Sequence, residues 1–205
     1  MSPEAAAARP VDGAGQRGTL IAVVGPSGAG KDSLMAYARE RLGGDPAVLF
    51  VRRVITRPAT VAAEDHDTLP IDSFLAWQAA GSFAVTWQAH GLHYAIPASV
   101  HRHLAAGGVA VVNGSRAALP AIRTAFGRVM VIQVTCRPEI LAARLAARSR
   151  EDPQTQQARL ARTVAAVETG ADVVEIDNSG DLAISGRAFL AAVRRYMNDG
   201  RLENR

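Results

Sequence analysis

A parallel α/β fold, with five core strands covered by helices on both faces, is predicted by three observations in this 205-residue chain. Short apolar runs alternate with stretches of helical length, the rhythm of repeated strand–helix units. Runs such as Val109-Ala110-Val111-Val112 are apolar without alternation, as strands buried on both faces are. A glycine-rich loop joins the first such run to the first helix.

Element by element, the first strand is predicted over 19–24 and the first helix over 33–42. A second apolar run covers 48–51 and leads into Arg52-Arg53-Val54-Ile55-Thr56-Arg57-Pro58. Pro58 stops that segment, and a polar loop is expected over 59–69, followed by a short helix over 71–80. Residues 83–89 alternate as a half-buried strand does, His90-Gly91 signals a turn, and 92–96 read as the returning strand. Pro97 is expected to open a helix reaching about residue 106. Core strands follow over 109–112 and 129–134, then a helix over 139–149 with Pro138 in its first turn. A polar break over 150–157, interrupted by Pro153, leads to a helix over 155–169 and a strand over 173–176. Asn178-Ser179-Gly180-Asp181 is a turn able to cap the last helix, 182–197. The stretch 56–96 reads as a small mixed subdomain inserted in a single domain over 19–198. Loose tails are expected over 1–18 and 199–205.

Composition narrows the function classes. An apolar content of 48% with 20% charged residues suits a soluble globular domain, and no run is long enough to span a membrane. The formal charge is +4, without a lysine-rich tract or aromatic–basic alternation. The excess arginine is therefore assigned to small anions rather than nucleic acid. The single Cys136 excludes an internal disulfide and fits a cytoplasmic protein, with buried filling as its expected role. Oligomeric state is left open, a homodimer being one alternative.

Of the 23 basic residues only Lys31 is a lysine, and it lies in Gly25-Pro26-Ser27-Gly28-Ala29-Gly30-Lys31-Asp32-Ser33. Strand, glycine loop and helix in this order form a phosphate-binding context. Backbone N–H groups turn inward around an anion there, and Lys31 is expected to reach the β- and γ-phosphates of a nucleotide. The residue after the lysine is ordinarily Ser or Thr, whose hydroxyl ligates Mg²⁺; here it is Asp32. Asp32 is a candidate Mg²⁺ ligand, and equally a favourable charge in the first turn of a helix. Arg53 and Arg57 stand four apart at the mouth of the insertion. Arg144 and Arg148 share a helix face, with Arg159 across the polar break. Arg148 and Arg159 bracket a segment of the kind that closes over phosphates as a lid, about 148–159.

Together Gly25-Pro26-Ser27-Gly28-Ala29-Gly30-Lys31, Thr56-Arg57-Pro58, His90-Gly91-Leu92-His93-Tyr94, Arg144–Arg148 and Arg159-Leu160 resemble guanylate kinases, from about residue 20 to 196. The resemblance implies a P-loop NTPase fold of the nucleoside monophosphate kinase type, with core, acceptor-binding insertion and lid. It implies that Arg57 and Tyr94 bind the acceptor phosphate, with Arg53 nearby, and that Arg148 and Arg159 clamp the transferring phosphoryl group. The departures are informative. No second arginine follows Thr56-Arg57-Pro58, Val85 stands where guanylate kinases carry the glutamate that reads guanine, and Asn113 replaces the acidic residue ending their third core strand. A site built to pair a base loses orders of magnitude without its polar partner, so GMP is a poor acceptor.

A narrower family carries these differences as its own pattern: ribose 1,5-bisphosphate phosphokinases of phosphonate breakdown. The chain is similar to them in Gly30-Lys31-Asp32-Ser33, Arg53–Pro58, Trp87-Gln88-Ala89-His90-Gly91-Leu92 and Asn113-Gly114-Ser115-Arg116. The resemblance implies transfer of the γ-phosphoryl of ATP, with Mg²⁺, to the 1-phosphate of a phosphorylated sugar. Gln88, His90, Asn113, Ser115 and Arg116 are then sugar and second-phosphate contacts, or alternatively hydrogen-bonding groups of turns and strand ends. A guanylate kinase with an altered base pocket and a non-catalytic interaction module are the competing readings. His101 and His103, two apart, fall on different helix faces and make no metal pair; Trp77 is expected in the core, and Trp87 in packing or on substrate.

Overall fold

The computed structural model describes residues 17–56, 66–89, 91–148 and 169–202, without the side chains of 148 and 198–202. Gly18, placed in the expected tail, is already part of the fold, its N–H donating to the Leu104 carbonyl at 2.9 Å.

Strand β1 (Thr19–Val24) is buried along its whole length. Its odd residues Ile21 and Val23 pack on one face with Leu34, Phe189 and Val193; Leu20 packs on the other with Ala110, Ile122 and Phe126, while Ala22 and Val24 meet Leu119 and Val131 there. Each buried Leu, Ile, Val or Phe among these contributes about 1.5–3 kcal/mol, so the two-residue period locks the strand between two helical layers. Helix α1 (Lys31–Leu42) follows, then β2 (Val48–Phe50), β3 (Arg53–Ile55) and β4 (His66–Thr68). Next come α2 (Ile71–Ala79), β5 (Phe83–Ala89), β6 (Leu92–Pro97) and α3 (Val100–Ala105). After β7 (Val109–Asn113), a 3₁₀ turn at Arg116–Ala118 enters α4 (Leu119–Ala125). Strand β8 (Val129–Thr135), α5 (Pro138–Arg148), β9 (Val173–Asp177) and α6 (Leu182–Leu202) complete the described elements.

The main sheet has the order β2-β7-β1-β8-β9 and every pairing is parallel, as the five apolar runs predict. Because β1 is flanked by β7 and β8, the chain leaves it towards one edge and later crosses to the other. The crevice beyond the carboxyl ends of β1, β7 and β8 is the place where such sheets bind ligands.

The insertion is a second, mixed sheet, ordered β4-β3-β6-β5. It begins at Arg53 rather than Thr56, and its strand β4 lies inside the stretch expected to be loop. His66–Thr68 has no alternating pattern of its own; it forms because it pairs in parallel register with Arg53–Ile55. Arg52 adds an exposed ion pair to Asp67 at 2.9 Å, of the kind that contributes little. Pro97, expected to open a helix, instead ends β6 opposite Phe83, where no donor is required of it, and α3 begins at Val100. Trp77 is not in the core: it is 41% exposed and its ring meets the small sheet at the Phe83 ring (centroids 6.2 Å), while Phe74 is the one residue of α2 that is buried. Asp181 caps α6 through the Ala183 N–H at 2.7 Å, and that helix runs beyond Met197 to Leu202. The helix predicted over 155–169 and most of the polar loop lie outside the described residues.

Candidate active site

The glycines after β1 are required by geometry. Gly25, Gly28 and Gly30 have φ of 144°, 86° and 91°, which L side chains rarely adopt. Space is equally restrictive: a Cβ at Gly25 would lie 2.2 Å from the Val134 carbonyl oxygen, and one at Gly30 2.2 Å from Asn178 Nδ2. The chain thus runs in contact with β8 and with the end of β9. Helix α1 starts at Lys31, two residues earlier than the sequence pattern suggests, directly on the left-handed Gly30. Its N-terminus, with Asp32 in the first turn, closes the loop.

Lys31 folds across the loop it ends, its Nζ donating to the carbonyls of Gly25 and Pro26, each at 2.9 Å. Those acceptors hold the ammonium at the loop mouth. From the same loop Ser27 is exposed, while Ala29 is fully buried.

Beneath the loop lies Asn178, which the sequence reading treated only as part of a turn. It is 2% exposed, and its backbone N–H and both polar side-chain atoms are hydrogen-bonded. Its N–H donates to Thr135 O (2.9 Å), Nδ2 donates to Ala29 O (2.7 Å), and Oδ1 accepts from Ser185 Oγ (2.7 Å) on α6. A buried amide so satisfied fixes geometry, since leaving any of these groups unmatched costs about 1–3 kcal/mol. Arg144 of α5 reaches the same Ala29 carbonyl and Cys136 Sγ at 3.5 Å each, and Leu141 and Leu145 pack against Gly28. The signal that could have found Asn178 is its place: the first residue after a parallel strand, at the end of the sheet where the loop also lies.

On the other side of the loop, Asn113 ends β7 and is 7% exposed. Its Nδ2 donates to Asp32 Oδ1 at 2.6 Å, a short, charge-assisted bond. Ser115 and Arg116 follow in the turn into α4, both half-buried.

The small sheet sorts the remaining candidates by face. Ile55 pairs with Tyr94, and Trp87 with Tyr94, so Arg53, Trp87 and Tyr94 share one face. Tyr94 stacks on Trp87 (centroids 5.4 Å, planes 10° apart), and the buried Arg53 guanidinium lies 5.7 Å from the Tyr94 ring centre. Val85 belongs to this face too, 5% exposed and sealed among Leu20, Ile96, Ala110 and Val112. Gln88 does not join them: it pairs with His93, 3.5 Å away, on the opposite face towards α2. Arg57, His90 and Arg159 lie outside the described residues, as does the side chain of Arg148.

His101 packs on Phe126 (4.7 Å), and burial pushes its pKa below the ordinary histidine value. His103 Nε2 is 3.1 Å from the Val109 carbonyl, so the two rings serve separate structural contacts.

A family model described as an AAA domain matches residues 21–165. Ribose 1,5-bisphosphate phosphokinase PhnN of Agrobacterium fabrum is 47% identical over 176 residues, which is 86% of this chain and 96% of that protein. Its namesake from Rhizobium etli is 48% identical over 183 residues, 89% of this chain and 93% of that one. Among solved structures, guanylate kinase from Anaplasma phagocytophilum aligns with a TM-score of 0.65 over 89% of this chain and 87% of its own, at 15% identity. That likeness shows an α/β P-loop kinase fold, while the sequence relatives are far closer. With a braced phosphate loop at the strand ends and an apolar residue at the guanine-reading position, the chain belongs to the ribose 1,5-bisphosphate phosphokinase family.

Proposed function

We propose that this protein transfers the γ-phosphoryl group of ATP to the 1-phosphate of ribose 1,5-bisphosphate, giving ADP and 5-phospho-α-D-ribose 1-diphosphate. The observation that carries this reading is the pairing of a complete phosphate loop with an acceptor wall in which Val85 is buried. Nothing at Val85 can pair with guanine, and a sugar phosphate needs no such partner. The relatives' names point to the same acceptor.

The chemistry demands little proton transfer. A phosphate monoester oxygen is largely ionised near neutral pH, so the attacking group needs no strong base. The barrier lies in gathering anionic groups in line, which fixed cations lower by positioning and charge. Lys31 neutralises the β,γ end of ATP from the loop mouth, while backbone N–H groups of the loop and of the start of α1 cradle its phosphates. Arg148 and Arg159 are assigned, by the family resemblance, to the moving phosphoryl group. Arg53, Arg57 and Tyr94 hold the acceptor, with His90, Ser115 and Arg116 reading its hydroxyls and second phosphate.

Asp32 fits a Mg²⁺ ion: a hard oxygen ligand at the loop, with one carboxylate oxygen held by Asn113 and the other left for a cation. When bound, the ion would be held by Asp32 and would offset the negative charge of the ATP phosphates. Among the described residues no helix is long and apolar enough to cross a membrane. A cytoplasmic setting suits an ATP-consuming step and a single free thiol.

The test is an ADP-release assay with ribose 1,5-bisphosphate and GMP as alternative acceptors, and identification of the product. Turnover with the sugar bisphosphate and little with GMP is expected; saturable turnover with GMP alone would assign the protein to guanylate kinases.

A further inference from the structure

Two departures from the ordinary phosphate-loop pattern, Asp32 after the lysine and Asn113 at the end of the third core strand, lie 81 positions apart and touch. In the common arrangement a Ser or Thr hydroxyl stands after the lysine and the carboxylate stands on the strand. Here the carboxylate is on α1 and the neutral donor is on β7, joined at 2.6 Å.

We infer that Asp32 and Asn113 are a reciprocal exchange, in which Asn113 is a positioning residue for the magnesium-binding carboxylate rather than chiefly a substrate contact. Three features support it. Each arrangement contains one carboxylate and one donor, so the local charge is the same. Donor and acceptor roles are reversed but matched: Asn113 Nδ2 donates to Asp32 Oδ1, where a hydroxyl would donate to a strand carboxylate. Asn113 is also nearly buried, so its amide is committed to this partner and not swung towards solvent. The exchange leaves the end of β7 neutral, beside Ser115 and Arg116, where an acceptor with two phosphates would meet a carboxylate's repulsion.

The inference rests on the ATP-dependent reading above but is tested apart from turnover. The readout is titration calorimetry of a non-hydrolysable ATP analogue on the full chain, as a function of Mg²⁺ concentration. Asn113→Ala keeps the carboxylate and loses its orientation, and is expected to raise the Mg²⁺ needed for half-maximal binding about tenfold. Asp32→Ser should raise it at least as much. Asn113→Asp sets two carboxylates in contact and should lower the melting temperature, with Mg²⁺ restoring it. The exchanged double variant, D32S/N113D, should return the Mg²⁺ requirement to within about threefold of the parent, far from the sum of its parts.

A double variant no better than Asp32→Ser would overturn the exchange, as would an Asn113→Ala protein with unchanged Mg²⁺ dependence. Analogue binding by the parent that ignores Mg²⁺ would overturn it too. Normal Mg²⁺-coupled binding without turnover on ribose 1,5-bisphosphate would instead sink the proposed acceptor and leave the exchange standing.

Discussion

The glycine loop after β1 and the small mixed sheet both hold polar groups in fixed positions, but one does so with backbone and the other with side chains. At the loop, Gly25 runs against the β8 backbone and Gly30 against Asn178, and the buried Ala29 carbonyl is gripped from β9's end and from α5. On the small sheet, Arg53, Trp87 and Tyr94 form a stacked row whose composition depends only on which face each residue happens to occupy. Backbone contact tolerates almost no substitution, because no other residue fits the space. A sheet face accepts exchange at every second position, which is how a guanine reader can give way to Val85 without disturbing the strand.

That contrast can be broken most directly at the loop. Lys31→Met removes the one compact cation at its mouth and should cut kcat by about 10²–10³-fold with the fold intact. Amine-directed modification of Lys31 should do the same and be slowed by MgATP; full activity after complete modification would end its assigned role. Next in size, Gly25→Ala forces a Cβ to 2.2 Å from a backbone oxygen at φ 144°. A loss of about 3 kcal/mol or more in urea unfolding is expected, as backbone strain and overpacking add; unchanged stability would mean the loop is not backbone-locked.

The small sheet offers a sharper comparison of its two faces. Arg53→Lys keeps the charge but loses the planar fork, and should raise KM for the sugar bisphosphate about tenfold at nearly constant kcat. Gln88→Ala, on the α2 face, should change KM by less than about threefold, as exposed positions away from a site do. Equal effects from the two variants would show that face does not decide acceptor contact.

The smallest effect concerns His101, whose ring on Phe126 supports the cluster that also holds Val85. Burial lowers its folded pKa below that of the unfolded chain, so the unfolded state takes up the proton first as pH falls. Stability should therefore be full above about pH 6.5 and decline below it. His101→Gln should show a slightly flatter fall in urea midpoint between pH 7.5 and 5.5, and parallel curves would refute this share.

Much of this was legible in the chain. The central strands β1 and β7 announce themselves as apolar runs, because a parallel strand covered on both faces has no polar side to show, whereas the edge strand β9 exposes Glu175 and Asp177. Strand β4 was not legible, since His66–Thr68 is a strand only by virtue of its neighbour. Trp77, expected in the core, is 41% exposed because the nine-residue α2 buries Phe74 and leaves Ile71, Leu75 and Trp77 largely outside.

By itself, the sequence determined the sheet's class, the loop and its lysine, and the apolar residue where a base reader would stand. These are local properties: burial period, glycine conformation and residue chemistry act within a few positions of each other. Only the tertiary structure decided that Asn178 braces the loop from 149 positions away, that Asn113 holds Asp32, and that Gln88 faces away from Tyr94. Those facts depend on how strand ends align across the sheet and on β-ladder register, which no short stretch of chain specifies alone.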